Sequence, residues 1–311
     1  MPSSPSRSLA LMAGATLALL AGCGSSSDSG SDGSSASGPA SSSRIPVVAS
    51  TNVYGDIVER IGGDHVDVTS IISDPDQDPH SYEADTQNQL TLSKAKVVVE
   101  NGGGYDDFVD RMLKSSDSAA QVINAVKVSG KTAPKGGELN EHVWYDFPTV
   151  AKIADSIAAA LGRADATDAA TFTRNAETFK ARLTRLESKE AQIKKEHGGA
   201  GIGITEPVPL YMTEASGLVD KTPAEFSEAV EEGSDVSPRI LRETLALYSD
   251  KQVKALVYNA QTSGPQTEKV ENAAKAAGVA VVPVTETLPK GKDYLGWMTS
   301  NVDALAGALA E

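Results

Sequence analysis

Between Thr167 and His197, apolar residues fall at Phe172, Ala176, Phe179, Leu183, Leu186 and Ile193, in steps of four, three, four, three and seven. That spacing is one stripe of an α-helix, interrupted only by Glu190, and no Gly or Pro breaks it. Thr167 or Asp168 is placed to cap the first turn, and Lys194, Lys195 and His197 suit the carbonyl end before Gly198-Gly199. At 1.5 Å per residue the helix spans roughly 45 Å, more than a single small domain needs. A coiled coil would carry the same stripe, but only about four heptads are present and strand-rich sequence flanks both sides. The pattern predicts a backbone helix with a lobe on either side.

Before this helix, short apolar runs alternate with helical periodicity. Strands are predicted over Ile45–Ala49, Val66–Ile72, Val97–Glu100 and Gln121–Val126. Helices are predicted from Asn52 to the Gly62-Gly63 stop, over Thr86–Lys94, over Tyr105–Leu113 and up to about Gly162. Beyond it, strands fall at Gly201–Thr205, Val253–Tyr258 and Val279–Val284. Helix starts follow Thr222-Pro223-Ala224-Glu225, where Thr222 would cap, and Ser237-Pro238, and a last helix covers Asp293–Leu309. Strands alternating with helices imply parallel sheets. The expected architecture is α/β: lobes over 44–166 and 198–311, joined by the helix over 167–197. Ligands of such sheets collect at the carboxyl ends of strands, here in the cleft between lobes.

Composition narrows the function. Lys and Arg total 28 against 42 Asp and Glu, a net charge of −14 that disfavours nucleic acid and anionic membrane and is compatible with a cationic ligand. The N-terminus carries Arg7, then an apolar run from Leu9 to Ala21, too short for a membrane span and patterned as an export signal over residues 1–22. It ends Leu20-Ala21-Gly22-Cys23, which resembles the bacterial lipobox and implies lipid attachment at Cys23, the only cysteine. Residues 24–43 are almost entirely Ser, Gly, Asp and Ala, a tether too polar to fold.

Only four histidines occur, His65, His80, His142 and His197. His80 and His142 in the first lobe, with Glu206 and Glu286 in the second, end strands or occupy adjoining loops. Two imidazoles and two carboxylates suit a divalent transition metal. Each alone has a bland reading, as a solvated loop histidine, a packing residue beside Trp144, a strand end or a helix cap. No compact His-Glu-x-x-His zinc signature is present.

Asp78-Pro79-His80-Ser81-Tyr82-Glu83, Glu141-His142-Val143-Trp144-Tyr145-Asp146, Thr205-Glu206-Pro207, Tyr258-Asn259-Ala260-Gln261-Thr262 and Thr285-Glu286-Thr287 together resemble the metal-binding lipoproteins of bacterial zinc and manganese ABC importers. These form the solute-binding group with a rigid linking helix. The resemblance, over about residues 45–310, implies metal ligands at His80, His142, Glu206 and Glu286. It also implies one Zn²⁺ or Mn²⁺ as transported ligand, with Fe²⁺ open, and a monomer anchored on the outer face of the cell membrane that serves an ABC permease. Glu286 stands where the family commonly has Asp, and Glu206 lies in a divergent segment. The loop over 129–141 lacks the histidines that many zinc-specific relatives carry there. His65 matches no ligand position and is expected to be exposed, and the Asn101–Tyr105 turn is expected to be structural. Two other functions are weighed: a surface lipoprotein for adhesion or interaction, and a metallohydrolase, which would need an open coordination position for water.

Overall fold

The computed structural model describes residues 44–310, apart from 75, 76, 78, 81, 117 and 136. Cys23 and the segments expected to form an export signal and a tether therefore lie outside the described residues. Two four-stranded sheets, each entirely parallel, are built from the same pattern. The first comprises β1 (Ile45–Thr51), β2 (Val66–Ile72), β3 (Val97–Glu100) and β4 (Gln121–Asn124), in the order β2-β1-β3-β4. Its helices are α1 (Asn52–Gly62), α2 (Thr86–Lys94), α3 (Asp107–Ser115), α4 (Ala125–Ser129) and α5 (Phe147–Ala164). The connecting helix, α6, runs over Ala169–His197. The second sheet holds β5 (Gly201–Ile204), β6 (Val219–Asp220), β7 (Ala255–Asn259) and β8 (Ala280–Val284), in the order β6-β5-β7-β8. Its helices are α7 (Leu210–Ala215), α8 (Ala224–Glu231), α9 (Pro238–Ser249), α10 (Pro265–Ala276) and α11 (Tyr294–Ala310). Among the described residues no helix is long and apolar enough to cross a membrane.

Both sheets reverse their strand order beside the first strand, so each has its crevice at the carboxyl ends of its central strands. The main hydrophobic core passes through both lobes and includes Val47, Val99, Leu183, Ile204, Val257 and Trp297. Helix α6 packs against α1 and α5 of the first lobe and against α7 and α11 of the second. Its buried face is the stripe read from the sequence, with Glu190 included.

Glu190 is only 4% exposed, and its Oε1 has no hydrogen-bond partner among the described residues. Burial, followed by the nearby Glu187 and Asp146, pushes its carboxyl from the ordinary 4.5 up to about 8. The folded chain thus holds a proton that the unfolded chain releases, so stability is full below the unfolded value and falls as pH rises through about 8. Glu190→Gln is expected to add on the order of 2 kcal/mol at alkaline pH and to flatten the decline. Melting curves across that window test this; a variant with the wild-type slope would refute it.

Local chemistry moved some boundaries. β4 stops at Asn124, short of the expected Val126, because the Asn124 side chain accepts from the Lys127 amide and starts α4. Helix α9 starts at Ser237-Pro238 as expected, and Ser237 caps it, accepting from Ile240 N at 3.3 Å. Thr222 does not cap α8. Its hydroxyl accepts from the Ile204 amide at 2.9 Å, which ties the edge of β5 instead. His65 is less exposed than expected: its Nδ1 lies 3.0 Å from Asp168, beside the start of α6, and its ring meets the Phe172 edge.

The lobes are fastened to each other on several lines. The Asn52 side chain donates to Leu288 O and accepts from Leu288 N, both at 2.9 Å. Asp56 accepts from Tyr294 N at 3.0 Å, and Arg60 pairs with Asp293 at 2.6 Å. Tyr294 Oη donates to Trp144 O at 2.6 Å, and Tyr145 Oη donates to Thr285 O at 2.8 Å.

Candidate metal centre

The loops that leave the carboxyl ends of the two sheets face each other across the cleft. His80 follows β2, and Tyr105 follows β3 after a glycine turn. His142 opens a single 3-10 turn over Val143–Tyr145. The glycine turn is tight: at Gly102 (φ 74°) a Cβ would lie 2.1 Å from the Asn124 side chain, so only glycine fits. Asp106 holds it by accepting from the Asn101 and Gly102 amides at 2.6 and 2.7 Å. The turn is structural, as expected, and it also delivers Tyr105, whose ring packs edge-on against His80 at 5.0 Å and His142 at 5.9 Å.

His142 is fully buried, with Trp144 5.1 Å from its ring. Its Nδ1 and its backbone amide lie 2.8 and 3.0 Å from the same atom, Asn140 Oδ1. The orientation of that amide follows from its other end, where Asn140 Nδ2 donates to Pro207 O at 3.0 Å. A carbonyl oxygen only accepts, so Nδ1 of His142 carries the proton and Nε2 presents its lone pair. Burial and then the neighbouring His80 hold this imidazole well below its ordinary pKa, which keeps it neutral at neutral pH. Nε2 has no hydrogen-bond partner among the described residues.

From the second lobe, Glu206 follows β5 and Glu286 follows β8, with Asn259 at the end of β7 between them. Asn259 Nδ2 donates to Glu206 Oε2 and to Glu286 Oε1, the latter at 2.8 Å. Gln261 Oε1 accepts from the amides of Glu286 and Thr287, and its Nε2 donates to Thr287 Oγ1. Glu286 Oε2 stands 3.9 Å from His80 Nε2. Ligand atoms of His80, His142 and Glu286 all lie within 4.8 Å of one another. Glu206 lines the same cavity of about 810 Å³ and shares the Asn259 amide, but it is outside that closest set.

Two carboxylates not singled out from the sequence join the cluster, Glu141 and Glu231, whose ligand atoms come within 4.8 Å of His80 and of each other. Glu141 adjoins His142 in sequence, a faint signal; Glu231, at the end of α8, has none. Burial raises the Glu141 carboxyl to about 7, and burial with Glu141, Glu206 and Glu286 nearby raises Glu231 to about 9. No lysine or arginine is among the described residues lining the cavity. The arrangement places two acceptor sets side by side, joined at His80, and a cation among them offsets the cost of burying these carboxylates together.

A family model described as zinc-uptake complex component A, periplasmic, matches residues 47–308. The manganese-binding lipoprotein MntA of Bacillus subtilis is 27% identical over 281 residues, covering 86% of this chain and 90% of that protein. The manganese ABC transporter substrate-binding lipoprotein scaA of Streptococcus gordonii is 24% identical over 286 residues, again 86% and 90%. In fold, the chain is similar to the periplasmic zinc-binding protein TroA from Treponema pallidum. The TM-score is 0.73 at 19% identity, covering 86% of this chain and 100% of that one.

Proposed function

Because the chain belongs to the family of the periplasmic zinc-uptake component A, we propose that it is the lipid-anchored receptor of an ABC metal importer. It acts on the outer face of the cell membrane, held there through Cys23. It captures one divalent transition-metal ion between its lobes, with His80, His142, Glu206 and Glu286 as ligands, and passes it to the permease as a monomer. The observation that carries this reading is the buried, neutral His142 imidazole. Its lone pair converges with those of His80 and Glu286 while Asn140 fixes its tautomer. Both Zn²⁺ and Mn²⁺ suit two imidazoles and two carboxylates. Zinc has the higher intrinsic affinity, whereas carboxylates favour manganese.

The mechanism follows from what the chain fixes and what it leaves movable. Ligand-bearing loops approach from opposite lobes, and the ties at Leu288, Tyr294 and Asp293 restrain wide opening. Capture and release are then small loop displacements rather than domain closure. The neutral His142 ring accepts the ion without first losing a proton. The neighbouring Glu141 and Glu231 carboxyls, which burial holds above their ordinary range, release protons more readily as the positive charge arrives.

The test is elemental analysis of the full chain after native purification. One equivalent of metal is expected in the wild type, and His80→Ala is expected to lose the ion. No stoichiometric metal in the wild type after loading with Zn²⁺ or Mn²⁺ overturns the receptor reading.

A further inference from the structure

Glu231 is placed against local electrostatic preference. It is the last residue of α8, where the helix dipole favours cations and disfavours a carboxylate. Its side chain is 18% exposed, and its Oε1 has no hydrogen-bond partner among the described residues. That oxygen lies 3.7 Å from His142 Nε2, the fully buried acceptor that also lacks a partner among the described residues.

The separation decides what joins them. A hydrogen bond would need roughly 2.7–3.2 Å, so a proton does not bridge the two atoms. An ion with bonds of roughly 2.0–2.2 Å to each holds its donors about 3–4 Å apart. The spacing of 3.9 Å between His80 Nε2 and Glu286 Oε2 falls in the same range. Glu231 is thus as near to His142 as Glu286 is to His80, and its ligand atoms also come within 4.8 Å of His80 and Glu141, beside the set of His80, His142 and Glu286.

We propose that Glu231 is a further ligand of the transported ion and a determinant of its identity, favouring Mn²⁺ over Zn²⁺. The proposal rests on the receptor reading above. An added carboxylate makes the donor set harder and raises the coordination number beyond the four that zinc adopts in closed sites. Manganese accepts such a shell, and zinc gains less from it.

The test is competitive titration of the full chain with Mn²⁺ and Zn²⁺, comparing wild type, Glu231→Gln and His80→Ala. Glutamine keeps the size of the side chain and removes the charge. Glu231→Gln is expected to weaken Mn²⁺ by about 10- to 100-fold and Zn²⁺ by less than about 3-fold, with a changed Mn²⁺ electron paramagnetic resonance spectrum. Unchanged affinity for both ions overturns the proposal. So does an equal loss for both with an unchanged spectrum, which is what distant charge alone would give. In either case, loss of the ion in His80→Ala leaves the receptor reading standing; a wild type that binds neither ion removes that reading itself.

Discussion

Replacing His142 by alanine is expected to abolish stoichiometric metal binding, weakening it by about 10³-fold or more. Loss of a residue that only orients a metal ligand already costs about 10- to 100-fold, and His142 is proposed as a ligand itself. The apo protein is not expected to suffer in proportion. The imidazole is buried with Nε2 unpartnered among the described residues, so removing it takes away a desolvated acceptor along with some packing. Metal titration and thermal unfolding with and without Mn²⁺ read both effects. The expected result is an apo melting temperature near that of the wild type and no metal-induced rise. A variant that still melts higher with metal would show that the ion sits elsewhere.

The largest effect on stability is expected at Tyr294. The side chain is fully buried, its ring packs near Phe179 and Trp297, and its hydroxyl donates to Trp144 O across the lobes. Tyr294→Ala is expected to cost about 4 kcal/mol through the cavity and the orphaned carbonyl, a fall of roughly 10 °C in Tm. Tyr294→Phe keeps the packing and is expected to cost only about 1–2 kcal/mol. Because the main core passes through both lobes, unfolding is expected to stay a single transition in both variants. Two separated transitions in calorimetry would mean that the lobes melt independently.

The long helix was legible because a stripe sustained over so many turns leaves no other periodic reading. Glu190 was the one position where period and residue type disagreed, and period won: packing fixes the helix face, and the carboxyl adjusts its protonation. Thr222 misled because the sequence Thr-Pro-x-Glu describes a helix start but not the neighbouring β5 edge, whose Ile204 amide takes the hydroxyl. His80 and His142 stood out because histidine is rare here and both fall in strand-end loops. Glu141 and Glu231 did not, since one carboxylate among 42 acidic residues carries no signal of its own. Their convergence is a property of the folded cleft. Asn140 and Asn259 were hidden for the same reason, as an amide becomes informative only when both of its ends have partners.

Asn140 grips the His142 ring and backbone with one end and Pro207, the neighbour of Glu206, with the other. Ligand segments of the two lobes are thus in register before an ion arrives. The entropy of ordering them is lost during folding and is not subtracted again at capture. Capture is then left with only small loop displacements and the loss of water from the cation, steps shared by every divalent ion. Ions of similar hydration that differ in affinity are therefore expected to differ mainly in how long they stay.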